Sequence, residues 1–459
     1  MTRLLRTSVL VIVLLTDTTA TWAVDYKAII LHPEGFYDSF AYSISSDQQV
    51  GEGWIPGSSG DHALLWSGTA NSVVDLHPSG FERSSASGIS GAQQVGNGRG
   101  SATGGPDHAL MWTGSPESVV DLHPSGFSAS VAYDVSGSQQ VGYGVISTEI
   151  HALLWFGTAE NYVDLNPSGF YESRAFDIEN GQQVGYGRGI ATNYERHALL
   201  WSGSAESVID LHPTGFESSR GHRMSDGQQV GYGLASADRE YHALLWSGTA
   251  ESVVDLHPSG FERSGAYGVV CAQQVGYGYG SPTGGDRHAL LWSGTASSVV
   301  DLHSYLGAEY YFSQAYDIDS NGAIVGFGLT YNGWRAVMWI PLIYVEIDIK
   351  PGSYPNSINL GNEGVIPVAI LSSWEFDATT VDPATVELAG AGVELRGKSD
   401  KAMAHREDVN KDGLIDLVIQ ITTENLEPGY FQDGYATLTG KTYDGLFIEG
   451  SDEINIVPK

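Results

Sequence analysis

The chain of 459 residues has a single cysteine, Cys271. No intramolecular disulfide is open to it, so the fold must be held by its core or by a bound metal. Basic residues are scarce: 22 Lys and Arg stand against 54 Asp and Glu, a net charge of −32. That balance disfavours nucleic acid and anionic membrane as partners, because both would be repelled. Charged residues of either sign make up only 17% of the chain. Beyond the first two dozen residues no apolar run approaches the length that spans a bilayer. What is abundant is glycine, 58 residues with no collagen-like period, which reads as the turns of an all-β protein.

Residues 1–23 read as a secretory signal. Arg3 and Arg6 supply the positive start, Ser8 to Leu15 the short apolar core, and Thr21-Trp22-Ala23 a cleavage site. The alternative is an uncleaved anchor. The expectation is a secreted, extracellular or cell-surface protein with no membrane span in the mature chain.

The stretch HALLWSGTAESVVDLHPSGF, His242 to Phe261, organises the rest. Close copies begin at His62, His108, His151, His197 and His288, a degenerate one at Arg335, and a half copy, AIILHPEGF, at Ala28. The period is in the mid-forties, which fits a propeller blade of four short strands. The distance from HALLW to DLHP is constant, which marks strands three and four as a tight hairpin of fixed register. The loop between QQVGYG and HALLW is the variable one. The chain begins with a strand-four run, Tyr26 to His32, and Arg335 to Trp339 has no DLHP after it. The N-terminal strand is therefore expected to complete the last blade and close a seven-bladed β-propeller over 25–341.

The pattern A-x-x-I/V, Q-Q-V-G-Y-G, H-A-L-L-W and V-V-D-L resembles the HAF-type extracellular repeat of secreted bacterial and archaeal proteins, which is propeller-like. The resemblance covers about residues 25–341. It implies an exported repeat scaffold and no established enzymatic activity.

Twelve of the fourteen histidines fall at two repeat positions; His222 and His405 lie elsewhere. Across the hairpin His242 faces His257 and Leu244 faces Asp255. One reading is a ring of metal-binding histidine pairs. The other is a structural hydrogen-bond contact repeated in every blade, and repetition, with Asn166 and Arg335 replacing histidine, favours it. The tryptophans Trp66, Trp112, Trp155, Trp201, Trp246, Trp292 and Trp339 are assigned to packing between blades. The repeated aspartates from Asp75 to Asp301 are assigned to capping a turn. Cys271 is incidental. The tyrosines of VGYG, Tyr143, Tyr186, Tyr232 and Tyr277, either pack between blades or face a ligand. Loop aromatics on one face are the candidate ligand-binding residues: Trp54, Tyr194, Tyr241, Tyr279, Tyr331 and Trp334.

Composition changes at Pro341, and 343–459 reads as a C-terminal β-sandwich of alternating strands without a helix of useful length. In EDVNKDGLIDL, the residues Asp408, Asn410, Asp412, Leu414 (through its carbonyl) and Asp416 follow the spacing of a calcium loop, with Gly413 at the turn. Position twelve is Ile419 rather than a glutamate, and the flanks are strand-like, so a β-hairpin loop binding Ca²⁺ is expected. Together with IDIKPGSYPNSINL and PVAIL it resembles a C-terminal module common in secreted bacterial and archaeal proteins.

No catalytic residue stands out. The expectation is a non-enzymatic binding or adhesion scaffold, presenting loops to an extracellular glycan or surface protein, with Ca²⁺ steadying the C-terminal module. A purely structural surface-layer component is the third reading. The alternative is a propeller glycosidase or polysaccharide lyase, which would need an acidic pair or a Tyr/His/Arg cluster converging on the axis. The acids and arginines off the repeat pattern, Asp61, Asp107, Glu149, Glu195, Arg196 and Arg239, are scattered over different blades.

Overall fold

In a computed structural model, residues 25–360, 364–397, 401–427, 429, 431 and 433–457 are described; the expected signal segment lies outside them. The described residues form strands and 3-10 turns with no α-helix, so the chain is all-β. No helix among them is long and apolar enough to cross a membrane.

Each repeat folds into one antiparallel sheet. The first consists of Asp38–Ser45, Gln48–Trp54, Asp61–Trp66 and Val74–Asp75 in that spatial order. Five more of the same order follow, ending with Phe261–Val270, Gln273–Gly280, Arg287–Trp292 and Val300–Asp301. The seventh uses Tyr310–Ile318, Ile324–Thr330 and Gly333–Tyr344, and its outer strand is Asp25–Ile30 from the other end of the chain. The N-terminal strand thus pairs where the sequence placed it. Buried Leu31, Ala41 and Ile44 of the first repeat share a core with Val325, Ala336 and Met338 of the seventh. The arrangement is that of a β-propeller.

HALLW is apolar after its histidine because this strand is covered on both faces by neighbouring sheets; Ala, both Leu and Trp are buried, and all seven tryptophans are fully buried. The fixed hairpin length has a local cause. The second glutamine of each QQ reaches across and accepts the N–H of the turn glycine, as Gln49 does from Gly68 at 2.9 Å and Gln274 from Gly294 at 2.8 Å. The turn then closes through a 3-10 turn such as Ala70–Ser72. Strand four is shorter than expected, only Val300–Asp301 within the run 298–303. The variable loop lies beside the inter-sheet loop on the same end of the propeller: Ile190 N–H donates to the Gly169 carbonyl and Ser236 N–H to Gly215.

Strand Gly333–Tyr344 runs straight through the composition break at Pro341 and then pairs in parallel with Phe447–Glu453. The C-terminal module consists of two main sheets around one core that includes Ile349, Val368, Leu388, Ile419 and Leu438. One sheet orders Ile347–Ile349, Val365–Ile370, Asp416–Thr422 and Ala404–Glu407; the other continues from Phe447–Glu453 through Tyr435–Thr442 to Val381–Leu388.

Candidate active site on the propeller axis

The innermost strand of every sheet carries a β-bulge at the same place, one residue after the small residue of A-x-x-I/V. A bulge leaves one residue out of the ladder and re-aims its side chain. Opposite it sits the glycine of QQVG, where an added Cβ would overlap a carbonyl of the bulged strand, as Gly51 would with Phe40. The seven re-aimed residues are Tyr42, Ser87, Tyr133, Phe176, His222, Tyr267 and Tyr316. With Arg223 they line a cavity of about 390 Å³.

The next residue along each strand forms a layer nearer the strand one to strand two turns. Arg223 is central to it, 3.1 Å from Asp177, 3.3 Å from Asp134 and 3.4 Å from Asp317. These carboxylates also tie sheets together: Asp177 accepts the Met224 N–H at 2.6 Å, and Asp317 accepts the Ser43 hydroxyl at 2.8 Å and the Ile44 N–H at 3.1 Å. Burial pushes the carboxyls of Asp134 and Asp317 up, against the pull of Arg223. With Ser43, Asp134, Asp177 and Asp317 buried around Arg223, this layer plugs the channel on the turn side.

Towards the loop end the walls differ in charge. The fourth to sixth sheets bring guanidinium groups onto tyrosine faces. Arg174 lies 4.2 Å from the Tyr143 ring centroid, Arg287 4.1 Å from Tyr277, and Arg220 between Tyr186 at 5.0 Å and Tyr232 at 5.6 Å. Glu172 is the acid among them. It accepts the Tyr186 hydroxyl at 2.7 Å, pairs with Arg188, and lies 3.6 Å from Arg174 and 4.0 Å from Arg196. Burial would raise its carboxyl, but Tyr186 and the arginines outweigh burial and hold it low. The first sheet is acidic instead. Glu52 accepts the Tyr42 hydroxyl at 2.7 Å; burial pushes its carboxyl up, Tyr42, Ser85 and Arg83 pull it down, and burial wins with Asp61 assisting.

His222 stands out in the ring. Its imidazole is stacked on Phe176 at 5.0 Å and edged by Tyr267 at 4.6 Å, and its Nε2 is buried without a hydrogen-bond partner among the described residues. Burial, with Arg220 and Arg223 nearby, pushes it down to about 3, so the ring is neutral at physiological pH.

The repeated histidines are elsewhere and do a different job. Leu244 pairs with Asp255 as expected, and the His242 and His257 rings stack at 3.9 Å. His242 Nδ1 is hydrogen bonded to Asp255 at 2.8 Å, and His257 Nδ1 to Ser264 at 2.8 Å, while Ser264 accepts the Ala243 N–H. Stacked rings, each spent on its own partner, do not converge on one ion. Asp255 also accepts the His257 N–H at 2.9 Å, which is the turn cap the sequence assigns to it.

The six loop aromatics are not brought together. Trp334 packs on Phe312 at 5.2 Å and Phe327 at 5.1 Å, and Tyr241 on Tyr232 at 5.4 Å. Trp54 pairs with Tyr37, Tyr194 with Tyr171 and Tyr331 with Tyr311, while Tyr279 lies opposite Arg263 in the sixth sheet. The tyrosines of VGYG do lie at the walls between sheets, Tyr186 and Tyr277 buried. Among the scattered polar residues, Asp107 is held by Arg83 at 3.0 Å, Glu149 lies 3.3 Å from His151, and Arg239 lies 3.5 Å from Glu217. Glu195 offers its carbonyl to Thr192.

In the C-terminal hairpin, Asp408 accepts the N–H groups of Asp412 and Gly413, Asn410 that of Asp412, and Asp412 that of Leu414, all within 3.1 Å. Asp416 is fully buried, accepting from Ser372 and Val409 at 2.8 Å each. Among the described residues no three His, Cys, Asp or Glu side chains are grouped closely enough to hold one ion. The oxygens of Asp408, Asn410 and Asp412 share one turn, and hard oxygen donors are what Ca²⁺ takes.

The axial ring escaped the sequence reading, although its signal was present: within A-x-x-I/V the first variable position is the ring and the second the plug.

No family model matches the chain, and no curated relative does. Among solved structures it is similar to a puromycin hydrolase, at 10% identity and TM-score 0.47, over 75% of this chain and 61% of that one. It is similar to the β-propeller domain of the Trilobed protease from Pyrococcus furiosus, at 8% identity and TM-score 0.43, over 65% of this chain and 95% of that one. An oligogalacturonate lyase from Vibrio parahaemolyticus matches at 8% identity and TM-score 0.41, over 69% of this chain and 96% of that one. The chain spans less than two thirds of the puromycin hydrolase it resembles. At these values the likenesses carry no activity across. The expectation of a non-enzymatic scaffold is corrected at the axis rather than by these likenesses. Its premise, that chemistry-bearing residues are symmetric or scattered, fails at the axis, where Tyr42, His222, Arg220 and Glu52 form an asymmetric set.

Proposed function

We propose that the chain is an exported seven-bladed propeller enzyme, a polysaccharide lyase acting on acidic glycans, with a C-terminal β-sandwich module. The observation that carries this is a neutral histidine with an unpartnered Nε2 in an axial aromatic cavity, between an arginine-rich wall and a protonatable Glu52–Tyr42 pair. Elimination next to a sugar carboxylate needs three things: a cation to offset the carboxylate, a base for the adjacent C–H and an acid for the glycosidic oxygen. Arg220 and its neighbours supply the first. His222 Nε2 takes the proton; burial first, then Arg220 and Arg223, hold its basicity down, and a bound carboxylate offsets the arginine part. Tyr42 donates to the leaving oxygen and is re-protonated from Glu52. The C–H and C–O bonds break, a C=C bond forms, and the products are an unsaturated uronate and a new end. Tyrosine faces in the ring suit sugar rings.

The test is turnover of a panel of acidic polysaccharides, with neutral glucans and dipeptide amides alongside, read as new unsaturated ends. Loss by about 10²-fold or more in His222→Ala, with folding intact, is expected for a general base. No unsaturated product from any acidic glycan, or undiminished turnover in that variant, overturns the reading. For the hairpin we propose Ca²⁺ held by Asp408, Asn410, Asp412 and the Leu414 carbonyl, with Asp416 fixing the loop base. Calcium should raise the melting temperature of the full chain, and Asp408→Ala together with Asp412→Ala should remove that response.

A further inference from the structure

The seventh repeat departs from the other six at one place outside the axis. After its innermost strand, where the others carry Ser45, Ser90, Ser136, Glu179, Ser225 and Val270, it carries Asp319. Its strand two begins with Ile324 in place of the capping glutamine, and no strand three to strand four turn follows, because the outer strand comes from the N-terminus. The space that such a turn and its glutamine occupy in other repeats is left as a cleft of about 490 Å³, closed on its far side by the C-terminal module. That volume lies within the range of small-molecule sites.

The walls are largely apolar, with Ile29, Met338, Ile340 and Phe447 among them. Polar side chains line the rest, Ser46, Asp47, Gln49, Thr69 and Asn321 among them, and one polar atom is left over. Asp319 is 6% exposed; its Oδ1 accepts the N–H groups of Asn321 and Ala323 at 2.9 Å each, and its Oδ2 is buried without a hydrogen-bond partner among the described residues. A buried carboxylate oxygen left unpaired is costly and calls for a donor, best a cation. Burial pushes this carboxyl up to about 6, so it is ionised above that pH. Lys441 lines the same cleft, but its ammonium lies over the Phe447 ring, 4.4 Å from the centroid. Among the described residues no three His, Cys, Asp or Glu side chains are grouped here, and the apolar wall beside Asp319 suits an organic cation better than Ca²⁺ or Mg²⁺, which take six or more oxygens.

We propose that this cleft binds a small organic ammonium compound with an apolar body, its N–H groups donating to Asp319 Oδ2 and its body against Met338 and Phe447. The site is on the turn end, away from the axial cavity, and is independent of the lyase reading. The arginines of the axis do not take part in it.

The experiment is calorimetric titration of the full-length protein with benzylamine and with its neutral isostere benzyl alcohol. At pH 8 the amine should bind at least tenfold more tightly than the alcohol. Asp319→Asn, which keeps the Oδ1 acceptor, should remove that preference, and Ala323→Phe should block both ligands. Should Asp319→Asn fail to fold, the wild type decides: the amine should weaken at least tenfold between pH 8 and pH 5 while the alcohol does not change. The charged groups facing Asp319 are Asp317 on its own strand, Asp47 from the first sheet and Lys441 from the module. Equal binding of amine and alcohol overturns the proposal. So does a Lys441→Ala variant that alone allows amine binding, since Lys441 would then be the natural occupant.

Discussion

The outer and inner halves of the repeat are built under opposite rules. In the outer half, sheet after sheet repeats the same contacts: the HALLW histidine to the aspartate of DLHP at 2.6 to 2.8 Å, and the strand-one serine to the preceding repeat's histidine or asparagine at 2.7 to 2.9 Å. In the inner half the backbone repeats, bulge included, but the side chains it aims at the axis are four tyrosines, a serine, a phenylalanine and a histidine. Residues that recur with the fold are held by packing, and residues that vary on a recurring backbone are free to be chosen for chemistry.

Three substitutions test that division. The largest effect should come from Trp201→Ala, which empties a fully buried site and should cost about 3–5 kcal/mol in denaturant unfolding. Activity per folded molecule should hold. If it fell as far as it does in His222→Ala, the two halves would not be separable. Next is Ser219→Ala. The hydroxyl accepts the Ala198 N–H at 3.0 Å and bonds His212 at 2.9 Å, and its loss leaves a buried N–H unpaired, at about 1–3 kcal/mol. An unchanged stability would show that the repeated network is ornamental.

The smallest effect concerns pH. Burial, and the stacked histidine beside each, lowers His77, His123, His212, His257 and His303; burial and Arg335 bring His32 to about 4. A base depressed in the folded state is fully stabilising above its unfolded value, about 6.5, and loses that contribution as pH falls. Asp319, raised to about 6, works the other way over the same range. Asn166 shows how to isolate the histidines: it accepts the Ser173 hydroxyl at 2.7 Å and donates to the Phe170 carbonyl at 3.1 Å, the bonds that histidine makes in other repeats. His257→Asn should therefore melt with the wild type at pH 7.5 and above it at pH 5. Parallel melting curves at both pH values would show that these histidines do not titrate on unfolding.

The hairpin, the period and the closing strand were legible because each follows from a residue pattern of fixed spacing: QQ to SGT, HALLW to DLHP, and an unpaired half copy at Ala28. The axis was not, because a bulge breaks the two-residue alternation by which a strand's faces are read. His222 therefore stands out in the sequence only as a histidine off the repeat positions, and nothing marks Tyr42 and Tyr316 as facing the axis. Charge segregation was hidden for a related reason: Arg174, Arg220 and Arg287 lie far apart in sequence, and only the arrangement of sheets puts them on one side. In the C-terminal module the ladder of Phe447–Glu453 to Gly333–Tyr344 is a tertiary fact that no local pattern announces.

That ladder puts one strand in the path of any force on the module. Gly333–Tyr344 holds the N-terminal strand by six paired residues, from Asp25 opposite Leu342 to Ile30 opposite Val337, and then hands the chain to the module. Tension applied to the module runs along this strand's axis, so all the rungs that close the propeller are strained together in shear rather than opened one at a time. A protein tethered through its C-terminal end would thus keep its axial cavity intact under flow, with the closing seam placed where pulling is resisted best.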